Sequence, residues 1–174
     1  MRSLYLIGAP GVGKTTLMAA LTAPLGEPEV VATPVPHLKW REVVEVGRRR
    51  GEFSGTDALG YAVVPSAVAW VRSERRPAWL LGEGDRLACR PFLDALRAAG
   101  DLDVVLLDAP RLVSYARMCD RAARLGREPQ TEAWWKGRVT KCARLADEYD
   151  AIVLDGRAPV SVLRDTLREL LTFT

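Results

Sequence analysis

Gly8-Ala9-Pro10-Gly11-Val12-Gly13-Lys14-Thr15 decides the fold of this chain. The stretch is a full G-x-x-x-x-G-K-T, and readable elements stand on both sides of it. Leu4-Tyr5-Leu6-Ile7 is a short apolar run that reads as a buried strand. Thr16-Leu17-Met18-Ala19-Ala20-Leu21 reads as a helix. Glycines let the backbone curl until several N–H groups point at one anion, and the helix N-terminus adds partial positive charge. Lys14 reaches the outer phosphates and Thr15 can ligate Mg²⁺. Gly8, Pro10, Gly11, Val12, Gly13, Lys14, Thr15 and Thr16 therefore form the expected binding segment for a nucleoside triphosphate, with ATP and Mg²⁺ as the expected cofactors.

Further along, four more apolar runs read as strands: Glu29–Ala32, Trp79–Leu81, Val104–Leu107 and Ile152–Leu154. Helical patterns separate them, over 14–23, 65–72, 91–99, 112–125, 131–149 and 159–171, with Pro and Gly at several of their ends. Strands alternating with helices imply right-handed βαβ units. The expected architecture is α/β: a five-stranded parallel sheet with helices on both faces, of the P-loop NTPase type. The loops after the strands, 34–37, 82–86, 108–111 and 155–157, then share one edge with the P-loop, where ligands bind. Val43, Val44 and Val46 fit a helix or a strand, and periodicity does not decide between them.

The composition bounds the partners. The chain has 174 residues, 48% of them apolar and 27% charged, with a net charge of +3. That suits a single domain over residues 1–174 and permits an anionic substrate without demanding nucleic acid. Cys89, Cys119 and Cys142 are widely spaced and His37 is the single histidine, so neither a zinc site nor a disulfide framework is expected. Leu4–Ile7 is too short for a signal-peptide core, and no apolar run approaches a membrane span. The expected location is cytoplasmic, with no membrane partner.

A second constellation closes the strand at 79–81. Gly82-Glu83-Gly84-Asp85-Arg86 is good turn chemistry, but beside a P-loop its carboxylates have further uses. One can hold the Mg²⁺ water shell while the other accepts a proton from a substrate hydroxyl, and Arg86 can hold a phosphate. Spacing leaves open which of Glu83 and Asp85 is the base; Asp85 with Thr15 is the expected metal pair.

With these residues in view, the chain resembles the nucleoside and nucleotide kinase group of P-loop proteins. Asp85-Arg86 is similar to the Asp-Arg or Glu-Arg pair of thymidylate and deoxynucleoside kinases. Leu106-Leu107-Asp108-Ala109-Pro110, followed by Arg117 and Arg121, resembles the group's fourth strand and arginine-bearing lid helix. Asp155-Gly156-Arg157-Ala158-Pro159 resembles the loop that packs against adenine, which implies nucleotide contacts for Arg157 and Pro159. The resemblance also implies an acceptor-binding insertion at about 37–77 and a lid at about 111–141.

Arg117, Arg121 and Arg124 share a helix face, while Leu112, Tyr115, Cys119 and Ala122 form a separate stripe expected to face inward. Such a helix can close over a triphosphate and stabilise the transferring charge, so Arg117 and Arg121 join Lys14, Glu83, Asp85 and Arg86 as catalytic candidates. In the following segment Trp135, Val139, Cys142 and Ala146 share an expected core face. Trp134, Arg138 and Lys141 can be a basic rim or meet phosphate and base, and Gly137 is expected to admit a close approach by the lid helix. Within 48–57 the arginines suit a phosphate, and Phe53 with Trp40 suits stacking on a base. The leading reading is transfer of the ATP γ-phosphoryl group to a small nucleoside, nucleotide or related hydroxyl acceptor. A variant places the acceptor in DNA as a hydroxymethylated pyrimidine. A different class is a regulatory ATPase without an acceptor, and no Asn-Lys-x-Asp guanine motif supports it. The oligomeric state is not legible.

Overall fold

The first strand, β1 (Arg2–Ile7), lies in the middle of the sheet because it is apolar on both faces, with Leu4, Tyr5, Leu6 and Ile7 all buried. The computed structural model describes residues 1–49 and 54–171. After β1, the P-loop feeds α1 (Lys14–Thr22). The chain then lays down β2 (Glu29–Val31), β3 (His37–Trp40) and β4 (Val43–Val46) before α2 (Val63–Arg72). The remaining elements are β5 (Trp79–Glu83), α3 (Arg90–Ala99), β6 (Asp101–Asp108), α4 (Arg111–Arg124), α5 (Glu132–Glu148), β7 (Ile152–Asp155) and α6 (Val160–Leu171).

The sheet order is β2-β3-β4-β5-β1-β6-β7. From β4 to β7 every pairing is parallel, while β2, β3 and β4 pair antiparallel. The α/β class with helices on both faces is as expected, but the sheet has seven strands rather than five. The difference comes from one region. The run at 29–31 does not enter the parallel sheet beside β5; it folds back on β3, with Val31 opposite His37, and forms the edge. β4 takes the place beside β5, with Val43 opposite Trp79 and Val46 opposite Gly82. Val43, Val44 and Val46 are thus strand residues. The ambiguity had a physical source: Glu45 breaks the apolar run, yet it is buried too.

Alternation along the strands builds two cores. On one face Tyr5, Ile7, Val44 and Leu80 pack on Val71 of α2, Phe92 and Leu96 of α3, and Leu145 of α5. On the other, Leu4, Leu6, Leu81 and Val105 pack on Leu17 and Leu21 of α1 and Leu163 and Leu167 of α6. Trp40 belongs to this second core and donates its indole N–H to Gly26 O at 2.8 Å. It does not present the stacking face expected of it. Arg50 and Phe53 lie outside the described residues. Because β4, β5, β1, β6 and β7 run the same way, their C-terminal ends line one edge, and the loops discussed below all lie there. Among the described residues no helix is long and apolar enough to cross a membrane.

Candidate active site

The P-loop is anchored from below and open above. Gly8, Ala9 and Val12 are buried, whereas Thr15 and Thr16 are exposed. α1 begins after Gly13 with no side-chain cap and no acidic residue in its first turn, so its leading N–H groups stay available to an anion. Lys14 folds back over the loop, its Nζ donating to Gly8 O at 2.8 Å and Ala9 O at 3.1 Å. A phosphate oxygen can replace these neutral carbonyl partners with a charged one.

Thr15 Oγ1 donates to Glu83 Oε1 at 3.0 Å. This contact joins the P-loop to the end of β5, and of the two candidate acids it is Glu83 that makes it. Glu83 is buried, and its carboxyl is pushed up to about 7 by that burial, against the pull of the Lys14 charge and the Thr15 hydrogen bond. Asp57 and Glu45 add like charge that pushes the same way. The structure does not bring Asp85 to Thr15. Asp85 Oδ2 pairs instead with Arg138 Nη1, and Oδ1 accepts from Lys141 Nζ at 2.7 Å. Lys141 also donates to Asp85 O at 3.0 Å. Thr15 is thus bonded to Glu83 and not to Asp85, the acid expected beside it.

Above Glu83 runs an arch, residues 54–61. Gly55, at φ 65, packs so closely that a Cβ there would sit 2.2 Å from Glu83 Oε1, so only glycine leaves the carboxylate in place. The Tyr5 hydroxyl bonds Thr56 Oγ1 at 3.1 Å and donates to Gly84 O at 3.0 Å, pinning the arch to β1 and to the turn after β5. Asp57 Oδ1 accepts from the backbone N–H of Asp85 at 2.7 Å and of Arg86 at 3.1 Å. The Arg86 guanidinium then lies 3.7 Å over the Tyr61 ring.

α4 and α5 close the other side. A Cβ at Gly11 would meet Ser114 O at 2.1 Å, so α4 lies directly on the P-loop backbone. The fully buried residues of α4 are Ser114 and Met118; of the expected stripe, Tyr115 and Cys119 pack half-buried on the same core and Ala122 is half-buried, while Leu112 is 86% exposed. The reason is that this helix packs on the small P-loop rather than on a broad apolar surface. Arg121 follows Met118 by three residues, so it continues that stripe at the P-loop side, half-buried, with Arg117 and Arg124 exposed on its flank. In α5, Trp135 and Cys142 are buried as expected, and Tyr115 meets Trp135 edge to face at 5.9 Å. The Cys142 thiol reaches the Gly8 backbone, and burial pushes its pKa up. Gly137 has nothing within 4 Å of its Cβ position, so no close approach explains it. Behind the P-loop, Gly156 N–H bonds Asp108 O at 2.5 Å, and exposed Arg157 clasps Asp155 at 2.7 Å beside exposed Pro159. Burial is not the cause of the low Asp155 pKa, about 2; the Arg157 hydrogen bonds are.

Around this candidate site, sequence reading leaves Arg138 and Lys141 open between a basic rim and a contact with phosphate and base, considers Asp57 for polar recognition, and does not single out Tyr61. Arg138 and Lys141 had a signal in their position on one helix face beside Trp134; Tyr61 had none. Among the described residues no cluster of three or more His, Cys, Asp or Glu could hold a metal by itself. The donors present, a hydroxyl and a carboxylate, suit Mg²⁺ that takes its remaining oxygens from phosphates and water. A groove of about 910 Å³ beside His37, Trp70, Arg75 and Arg76 lies away from the P-loop, along the β2–β3 hairpin.

The sequence model of the P-loop Nucleotide Kinase3 family matches residues 1–172. No curated protein sequence matches the chain. Among solved structures, a gluconokinase from Sinorhizobium meliloti 1021 is similar, with a TM-score of 0.54 at 16% identity, over 99% of this chain and 96% of that one. A deoxyadenosine kinase from M. mycoides with bound dATP gives 0.54 at 13% identity, over 98% and 99%. A shikimate kinase from Aquifex aeolicus gives 0.53 at 16% identity, over 98% and 96%. At these identities the likeness is one of fold.

Proposed function

The chain belongs to the P-loop Nucleotide Kinase3 family, and on that premise we propose that it transfers the γ-phosphoryl group of ATP to the hydroxyl of a nucleoside, nucleotide or related small acceptor. The observation that carries this reading is Glu83: a carboxylate buried at the end of β5 and bonded to the P-loop threonine, where it can accept a proton from a hydroxyl that attacks the triphosphate.

In this account Lys14 leaves the carbonyls of Gly8 and Ala9 and pairs with the outer phosphates. The N–H groups of the P-loop and of the start of α1 hold the β-phosphate. Thr15 and Glu83 are the residues that would hold Mg²⁺, directly or through its water shell, and the ion supplies neutralising charge between the phosphates. Thr15 engages Oε1 of Glu83, which leaves the second oxygen to take the proton of the acceptor hydroxyl as its oxygen bonds to phosphorus and ADP departs. Arg86 and Arg121, from opposite sides, stabilise charge on the transferring group; Arg117 is a second, exposed candidate. Asp85 acts by positioning Arg138 and Lys141. Arg157 and Pro159 border the base side of the nucleotide.

Incubation with γ-labelled ATP and an acceptor panel tests this. The panel holds nucleosides, nucleotides, small hydroxy acids and DNA containing hydroxymethylated pyrimidine. Label on a small molecule supports the reading. Label on DNA replaces it with the polymer variant, and label only in free phosphate replaces it with a regulatory ATPase.

A further inference from the structure

The groove of about 910 Å³ along the β2–β3 hairpin takes no part in the chemistry at the P-loop. Its volume is that of a small-ligand cleft. One wall is the sheet: Val31 stands opposite His37 and Glu29 opposite Lys39, so these four side chains share one face. The other wall is α2, where Ser66, Trp70 and Ser73 follow at helical spacing. The His37 ring stacks on Trp70 between them, with centroids 4.8 Å apart.

His37 is only 6% exposed, yet it lines the groove. Its Nδ1 lies 2.7 Å from Val35 O, and a carbonyl can only accept, so Nδ1 carries the proton. Nε2 is then a hydrogen-bond acceptor in the neutral ring, and it has no partner among the described residues. Where the groove reaches the start of β5, Arg41, Arg75 and Arg76 line it together with Glu42. All four are exposed, and none of them forms an ion pair with a described residue. Arg41 sits in the tight turn between β3 and β4 at φ 46, a conformation that glycine or asparagine adopts at less cost. A guanidinium is nevertheless placed there.

Charge decides the class of ligand. Lys39 is balanced by Glu29 across the hairpin, and three guanidiniums against the Glu42 carboxylate leave an excess of two positive charges. A phosphate monoester carries about −1.5 to −2 at neutral pH and matches that excess better than a single carboxylate does. Nucleic acid needs cations in an unbroken stripe, which Glu29 and Glu42 interrupt. We propose that this groove is a second binding site, separate from the P-loop, for the phosphate monoester of a small hydroxylated molecule. The arginines take the phosphate, and His37 Nε2 accepts from a hydroxyl.

His37 is the single histidine, so a long-range proton–nitrogen NMR spectrum reports this groove through one imidazole. The protein is first saturated with Mg²⁺ and a non-hydrolysable ATP analogue to fill the P-loop. Ribose 5-phosphate, glycerol 3-phosphate, ribose and inorganic phosphate are then titrated separately at constant pH and ionic strength. At least one ester should shift Nε2 saturably. Inorganic phosphate should bind about 5-fold more weakly, the share of one neutral hydrogen bond, and ribose should give no saturable shift. The double variant Arg75→Ser/Arg76→Ser should weaken the ester at least about 10-fold and keep the shifts that the ATP analogue causes. The proposal is overturned if neither ester shifts Nε2, if ribose or inorganic phosphate binds as tightly as the ester, or if the arginine variant binds it undiminished. A response to a single-stranded oligonucleotide where neither ester gives one also overturns it.

Discussion

Replacing Glu83 by Gln should make the protein more stable, and increasingly so as the pH rises. Burial raises this carboxyl from its ordinary 4.5 to about 7, so its ionised form is less favourable in the folded chain than in the unfolded one. Below pH 4.5 both states hold the proton and the group imposes no penalty. Between 4.5 and 7 the unfolded chain ionises first, and the folded state loses stability relative to it. Above about pH 8 the full interval is expressed, about 3 kcal/mol; at pH 5 the cost is only about 1 kcal/mol. Gln keeps the size of the side chain and an oxygen for the Thr15 hydroxyl, but it cannot ionise. Urea unfolding of both proteins at pH 5 and pH 8 should show the variant gaining about 2 kcal/mol on the wild type across that interval, roughly 1 M in midpoint. Any fixed effect of the amide cancels in this comparison. A difference between the two proteins that does not change with pH would refute the argument, because Glu83 would then titrate alike in both states.

Other perturbations separate the parts of the site. Lys14→Ala should lower kcat by at least about 100-fold with only a small drop in thermal midpoint, since its hydrogen bonds go to loop carbonyls and its charge offsets only part of the burial of Glu83; activity beside a melting curve reads it. Gly11→Ala should cost about 3 kcal/mol and lower Tm by about 6–12 °C, because the position has φ 87 and faces Ser114 O. Asp85→Asn should reduce kcat less than Glu83→Gln and cost only about 1 kcal/mol of stability, as its pairs with Arg138 and Lys141 are half-exposed. Since the start of α4 is packed on the P-loop, closure over a triphosphate is expected only beyond Met118. Amide exchange should slow across 121–130 on adding a non-hydrolysable ATP analogue with Mg²⁺, and Arg121→Ala should lower kcat more than Arg124→Ala.

Local pattern made part of this site legible in the sequence. The P-loop and the Glu83–Arg86 turn are contiguous motifs, and each follows a strand whose apolar run is plain. The helices at 90–99, 132–148 and 160–171 carry Pro or Gly near their ends or clear helical spacing, and the structure places them within a residue or so of the expected bounds. What failed depended on partners distant in sequence. β4 was ambiguous because Glu45 reads as polar, yet it packs under α1. On α4, Tyr115 and Cys119 pack inward as hydropathy suggests, but Leu112 does not, because the helix also faces the P-loop backbone, which takes Ser114 and Met118. The choice between Glu83 and Asp85 needed the Thr15 contact across 68 residues and the Arg138 pair across 53, and spacing within the turn contains neither.

The most direct test of phosphotransfer is a phosphorus NMR time course of ATP and Mg²⁺ with the protein and a mixed pool of nucleosides and nucleotides. The account predicts that ADP and a new phosphate-ester resonance grow together in equal amounts, and that neither appears with Lys14→Ala. Growth of ADP with inorganic phosphate alone, unchanged by the pool, would contradict it.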